Sequence, residues 1–167
     1  MKVYQKYSQD LSDSRQNKQD MKRLYIMDSM TISLFKAILE GVGRNSKTGK
    51  REGEIKAHTI IKAEEDVPCL ILYSAAVGHD HTFLQEVDLP KDSIITFDKS
   101  YVDYGQYQKF SEFKIWYVTC LKSNAKYVAK REFEIPDDAD SGIIKDELID
   151  LEFGGKDKKI HKARRIA

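Results

Sequence analysis

The stretches RLYIMD (residues 23–28) and SIITFD (residues 93–98) carry the strongest structural signal in this sequence. Both are short, apolar, β-favouring runs that end in an aspartate, and the second is continuous enough to be buried on both faces of a sheet. If the two strands are parallel neighbours, Asp28 and Asp98 meet at the carboxyl edge of the sheet. Paired carboxylates suit a hard divalent cation, although an aspartate after a strand is equally an ordinary turn or helix-capping residue.

Outward from these two runs, strands alternate with short helical segments. The pattern predicts a helical turn in TISLFKAILEGVG (31–43), a hairpin of IKAHTIIKA (55–63) and CLILYSAA (69–76), helices in HTFLQEV (81–87) and YGQYQKFSEF (104–113), and a strand in IWYVTCL (115–121). Trp116 is expected in the sheet core. Beyond residue 126 the sequence predicts short β-like pieces and no long helix.

These elements predict an α/β fold with a mixed five-stranded sheet, flanking helices and part of a β-rich insertion. Residues 1–21 are predicted to be a linker or the remnant of a helix from an N-terminal region. Residues 22–125 are predicted to form the α/β core, and residues 126–167 to begin the insertion.

The composition is that of a soluble, single-domain protein. The chain has 167 residues, of which 41% are hydrophobic and 33% charged. It holds no apolar run of the roughly 18 residues that cross a bilayer, and no secretory signal at its start. We therefore expect a cytoplasmic protein without a membrane role, in which Cys69 and Cys120 are reduced, buried thiols.

The net charge of +1 hides two basic stretches. The first, GRNSKTGKREGEIK (43–56), is either a loop that lies along phosphates or a solvated hairpin. The second, KDKKIHKARR (156–165), either contacts DNA phosphates or forms a polar strand. Charge alone leaves both alternatives open.

Four segments resemble insertion-sequence DDE transposases of the IS-four type. They are IMDSMTISLF (26–35), GEIKAHTII (53–61), SAAVGHDHTFL (74–84) and IITFDKSYVDY (94–104). The most specific parts are D-S-x-T from Asp28, K-x-H at Lys56 and His58, and D-K-x-Y from Asp98 to Tyr101. The resemblance spans about residues 22–167.

The resemblance implies a ribonuclease-H-like fold with Asp28 on the first strand and Asp98 on the fourth. Both aspartates would ligate Mg²⁺ or Mn²⁺ for cleavage and strand transfer at double-stranded insertion-sequence ends, and a homodimer of the full-length form is one assembly that it allows. The residues expected to contact DNA are Lys56, His58, Lys99, Arg44, Lys50 and Arg51.

Several departures from the family pattern bear on activity. The family's catalytic glutamate lies on a helix after the insertion, with a Y-R-E-K type signature, and this sequence has no such segment. Met30, Ser100 and Cys120 stand where a small hydroxyl residue, glycine and arginine are usual. The acids at 137, 138, 140, 146 and 147 are expected in a solvated turn and not as a substitute third ligand. We expect a truncated, inactive catalytic fragment, and the alternative is a non-enzymatic DNA-binding remnant or pseudogene product.

Overall fold

A computed structural model describes residues 23–34, 43–45, 51–65, 67–75, 80–135 and 142–167. Their strands are β1 (Leu24–Leu34), β2 (Gly43–Asn45), β3 (Arg51–Lys62), β4 (Val67–Ala75), β5 (Ile94–Phe97), β6 (Trp116–Thr119), β7 (Tyr127–Glu132), β8 (Asp146–Phe153) and β9 (Lys159–Ile166). Helix α1 spans Tyr104–Glu112, and short 3₁₀ helices span Asp80–Glu86 and Lys99–Tyr101. The predicted remnant at residues 1–21 lies outside the described residues.

The main sheet is mixed. Its order is β3-β1-β5-β6, with β4 and the short β2 both paired to β3. Strand β3 is antiparallel to β1, β2 and β4, whereas β5 is parallel to both β1 and β6. The prediction of a mixed five-stranded, ribonuclease-H-like sheet is confirmed, and β2 adds a sixth strand. Within the basic stretch at 43–56, residues 43–45 of β2 pair with residues 51–53 of β3, and residues 46–50 lie outside the described part of the chain.

The hydrophobic core lies on one face of this sheet. Alternation along the strands turns Met27, Ile60, Ile95 and Phe97 to that face, where all four are buried. They pack against buried side chains of the first 3₁₀ helix and of α1, which are Phe83, Leu84, Tyr107 and Phe110. Asp103 caps the start of helix α1, because its carboxylate accepts a hydrogen bond from the backbone N–H of Gln106 at 3.0 Å.

Exposed side chains on the opposite face of the sheet correct two predictions. Trp116 was expected in the core, but it is 64% exposed, because β6 turns Trp116 and Val118 to the face that α1 does not cover. Cys120, which follows β6, and Cys69 on β4 are free but exposed, not buried. Because side chains alternate along a strand, only every second residue of these strands faces the covered side of the sheet.

Strand β1 also differs from its prediction. It continues through the segment that was expected to turn helical and ends at Leu34, because β3 pairs with it along Leu34↔Gly53 to Tyr25↔Lys62. Long-range pairing with β3 overrides the helical spacing of the apolar residues here. The rest of the predicted helical turn, residues 35–42, lies outside the described part of the chain.

The region beyond residue 126 forms a second, antiparallel sheet with the order β7-β8-β9. The acids of its central strand are paired. Asp146 binds Arg164 and Glu147 binds Arg165 across the β8–β9 ladder. The expectation that positions 146 and 147 lie in a solvated turn is therefore wrong, because both are buried strand residues. Residues 159–166 form strand β9, whose Arg164 and Arg165 pair with two of the four acids of β8.

His161 of β9 joins the second sheet to the first. The ring is 1% exposed and packs against Tyr107 and Tyr117. The Gln108 side-chain oxygen lies 3.2 Å from Nδ1, so Nδ1 donates the proton and Nε2 accepts from the Tyr117 hydroxyl at 2.5 Å. Burial of the ring lowers the pKa of its imidazole and so favours the neutral form.

None of the described helices is both long and apolar enough to cross a membrane.

The domain boundaries proposed at residues 21 and 125 stay predictions.

Replacing His161 by glutamine should remove a pH-dependent part of the stability. The unfolded chain takes up this proton at the ordinary histidine pKa of 6.5, before the folded chain does, so the wild type should lose stability as the pH falls below that value. At pH 8 the variant should be about 1–3 kcal/mol less stable, since buried polar partners are left unpaired. Urea unfolding of both chains from pH 8 to 5 measures both effects.

The difference between wild type and His161→Gln is the informative quantity, because the two chains share every other residue. We expect that difference to shrink as the pH falls toward 5. Parallel stability curves across the whole range would contradict a neutral, buried His161.

Candidate functional site

Asp28 and Asp98 are brought together by the register of two parallel strands. The last residue pair between β1 and β5 is Met27↔Phe97. Asp28 directly follows Met27, and Asp98 directly follows Phe97. Neighbouring strands lie about 4.8 Å apart, and alternation turns both side chains away from the core face. Both aspartates are exposed. The pairing of β1 with β5 therefore brings the two predicted aspartates next to each other. Only Asp98 follows the end of its strand, because Asp28 lies within β1.

The Asp98 carboxylate is fixed by the turn that follows it. Its Oδ1 accepts a hydrogen bond from the Ser100 backbone N–H at 2.8 Å, so that Asp98 caps the 3₁₀ helix Lys99–Tyr101. This hydrogen bond holds the pKa of Asp98 below its ordinary value, with a smaller contribution from Lys99. Asp98 can therefore both cap the 3₁₀ helix and act as the predicted metal ligand. The capping hydrogen bond uses one carboxylate oxygen and favours the ionised carboxylate.

Asp28 occupies the point at which β1 extends beyond β5. Its Oδ1 accepts from the Ser29 backbone N–H at 2.7 Å. Ile26 and Met30, two residues before and after it, face the same side of the sheet and are 42% and 62% exposed. The carboxylate therefore stands in an apolar, solvent-facing part of the sheet, where it is accessible.

His58 occupies a different place from the one predicted. The ring is 2% exposed and stacks on Phe83, with centroids 4.7 Å apart. Nδ1 lies 3.0 Å from the Tyr101 hydroxyl and Nε2 lies 2.8 Å from Ser74 Oγ. The prediction that His58 contacts DNA is wrong, because its ring is enclosed in the core. Instead it holds the turn Asp98–Tyr101 against β3 and β4.

The other predicted DNA contacts are only partly described. Lys56 is two residues from His58 and pairs with Thr31, so it projects from the face opposite Asp28. Lys99 is exposed and directly follows Asp98. Lys50 and the side chains of Arg44 and Arg51 lie outside the described residues. Their contact with DNA stays a prediction.

The carboxylates of Asp28 and Asp98 are the groups that could hold a hard cation. Two carboxylates on adjacent strands suit Mg²⁺ or Mn²⁺, which are commonly held by one or two carboxylates together with water and substrate phosphates. Neither aspartate is in a salt bridge with another described residue. Within the described ranges no third histidine, cysteine or acid completes a metal-binding group. The residues present fit a partial, substrate-dependent metal site.

A groove of about 480 Å³ lies beside Asp98 and was not predicted. It is lined by Asp98, Lys99, Ser100, Lys122, Ser123 and Asn124. Lys122, Ser123 and Asn124 follow β6, which is parallel to β5. The ends of parallel neighbouring strands lie at the same edge of the sheet, and this is the signal that could have identified these three residues. A concavity of about 550 Å³ between α1 and the second sheet lies away from both aspartates and has mixed charge.

Comparison with known proteins identifies the family. Residues 19–165 match the family described as Transposase DDE domain. The chain is 26% identical over 156 residues to y4zB of Sinorhizobium fredii (strain NBRC 101917 / NGR234), described as a transposase, and the match covers 92% of this chain and 42% of that protein. A solved piggyBac transposase synaptic complex with hairpin DNA is similar, with a TM-score of 0.44, 11% identity, and coverage of 85% of this chain and 32% of that one. Since the family match spans most of the sequence, this chain belongs to the transposase DDE-domain family.

Proposed function

We propose that this chain is part of the catalytic domain of a DNA transposase that cuts and rejoins phosphodiesters at double-stranded DNA ends. The observation that carries the proposal is the register that sets Asp28 beside Asp98 on an accessible edge of the sheet. Membership of the transposase DDE-domain family supports the reaction class. Insertion-sequence ends as the substrate and a homodimeric assembly are further parts of the same proposal.

Asp28 and Asp98 would hold Mg²⁺ or Mn²⁺. When bound, such an ion stabilises the negative charge that develops on phosphoryl oxygens during in-line displacement. The chain's own contribution is to hold two carboxylates next to each other and to orient them by hydrogen bonds from backbone N–H groups. The Ser100 N–H does so for Asp98, whose lowered pKa leaves it charged at neutral pH.

The open face around Asp28 is suited to an additional element. Ile26, Met30, Trp116 and Val118 expose apolar surface on the side of the sheet to which the aspartates turn. An apolar segment packed there could bring a third carboxylate. Among the described residues no third group joins the two aspartates, and the inactivity of the chain in strand transfer stays a prediction.

Asp98→Asn and Asp28→Asn should each remove Mn²⁺ binding at this edge. The amide removes the negative charge of a ligand, and we expect the affinity to fall by more than the roughly 10- to 100-fold that follows the loss of an outer-shell partner of a metal ligand. Mn²⁺-dependent broadening of the Ser29 and Ser100 backbone amide signals in NMR spectra of the full chain would report the loss.

Asp88→Asn is the matched control. Asp88 is exposed and precedes β5, at the opposite end of the strand from Asp98. This variant loses the same charge and should keep the broadening at Ser29 and Ser100. Equal broadening in wild type and both site variants would refute the metal site.

His58→Phe should weaken the support of the Asp98 turn. Phenylalanine keeps the stacking on Phe83 but loses the hydrogen bonds to Tyr101 and Ser74. We expect a loss of about 1–3 kcal/mol in urea unfolding, because buried hydroxyl groups lose their partner.

A double-mutant cycle with Tyr101→Phe isolates the His58–Tyr101 bond. The two losses should be less than additive, because either substitution breaks the same contact. Mn²⁺ broadening at Ser100 should also decrease in His58→Phe. Strictly additive losses with unchanged broadening would show that His58 does not position the turn.

A further inference from the structure

The groove beside Asp98 is built by two neighbouring turns. One is the Asp98–Ser100 turn after β5, and the other is the Lys122–Asn124 turn after β6. The pair Phe97↔Thr119 sets the two strand ends side by side, so that both turns leave the same edge of the sheet. The Ala125 N–H donates to the Lys122 carbonyl at 2.9 Å and closes the second turn. The groove is therefore a direct extension of the aspartate pair.

The chemistry of the lining favours an anion. Lys99 and Lys122 bring two ammonium groups, while Ser100, Ser123 and Asn124 add neutral hydrogen-bonding groups. Neither lysine is in a salt bridge with a described carboxylate, and both are exposed. No aromatic or large aliphatic side chain lines the groove, so base stacking has no platform here.

These features fit one phosphate of a nucleic-acid backbone. Lysine ammonium groups bind phosphate as point charges, and hydroxyl and amide groups bind phosphate oxygens without reading sequence. Asp98 also lines the groove, and its charge would repel a phosphate unless a bound cation neutralised it. A phosphate therefore fits best toward Lys122, a short distance along the strand from the metal ligands.

We propose that Lys122, with Ser123 and Asn124, binds a backbone phosphate of the DNA strand and so positions that strand across Asp98. The inference rests on the proposed function and adds a positioning site on the turn after β6. Lys99 contributes charge from the other wall of the groove. The site reads no base and should bind any DNA end.

Lys122→Gln should weaken DNA binding by the full chain. Fluorescence anisotropy with a labelled duplex end, measured over a range of KCl concentrations, gives the affinity and its salt dependence. Losing one phosphate contact should reduce the slope of log affinity against log salt by about 1, equally for unrelated DNA sequences. Lys122→Arg should retain the wild-type slope.

Lys91→Gln is the matched control, because Lys91 is exposed and precedes β5 at the other end of the strand. It should leave the slope unchanged. Adding DNA should also shift the Ser123 and Asn124 amide signals in wild type and not in Lys122→Gln. Equal effects of the Lys91 and Lys122 substitutions, or no effect of either, would overturn the phosphate site.

The outcomes separate this inference from the proposed function. Lys122→Gln should keep the Mn²⁺ broadening at Ser29 and Ser100, because it alters no metal ligand. If the aspartate-dependent broadening is present and the Lys122 substitution leaves DNA binding unchanged, only the phosphate site fails. If the broadening is absent in wild type, the proposed metal chemistry itself fails.

Discussion

The parallel pairing of β1 with β5 is the constraint on which the site and the core both depend. Strand β5 is four residues long, and it lies between β1 and β6 with Ile95 and Phe97 buried. Because side chains alternate between faces, a slip of one residue would turn Phe97 to solvent and Asp98 toward the core. Burial of the apolar residues thus disfavours every odd shift of the register, and in the observed register Asp98 lies beside Asp28. Stability and site geometry come from one interaction.

A buried polar network supports this register from behind. Ser74, His58 and Tyr101 are linked by hydrogen bonds across β4, β3 and the turn after β5, and the Tyr107 hydroxyl donates to the Tyr101 carbonyl at 3.1 Å. Buried polar groups are costly unless they are paired, so a network of this kind favours one arrangement of its members. The turn that carries Asp98 is therefore held by the core, although Asp98 itself is exposed.

The two faces of the main sheet have separate roles. One face is covered by α1, which also contacts the second sheet through Gln108 and His161. The other face keeps both aspartates, the groove with Lys122 and the apolar surface of Trp116 accessible. The proposed DNA strand would need such an accessible side.

The sequence by itself determined the positions of most strands and of the helix at 104–112, and it pointed to the two aspartates. Alternation, helical spacing and acids beside apolar runs are local patterns. Tertiary structure decided the rest. The length of β1 follows from its pairing with β3, and the burial of His58 from its partners on β4 and at Tyr101. The exposure of Trp116 reflects which face α1 covers, and Lys122 gains its place from a strand neighbour distant in sequence. Each of these depends on contacts between residues far apart along the chain, which no local pattern encodes.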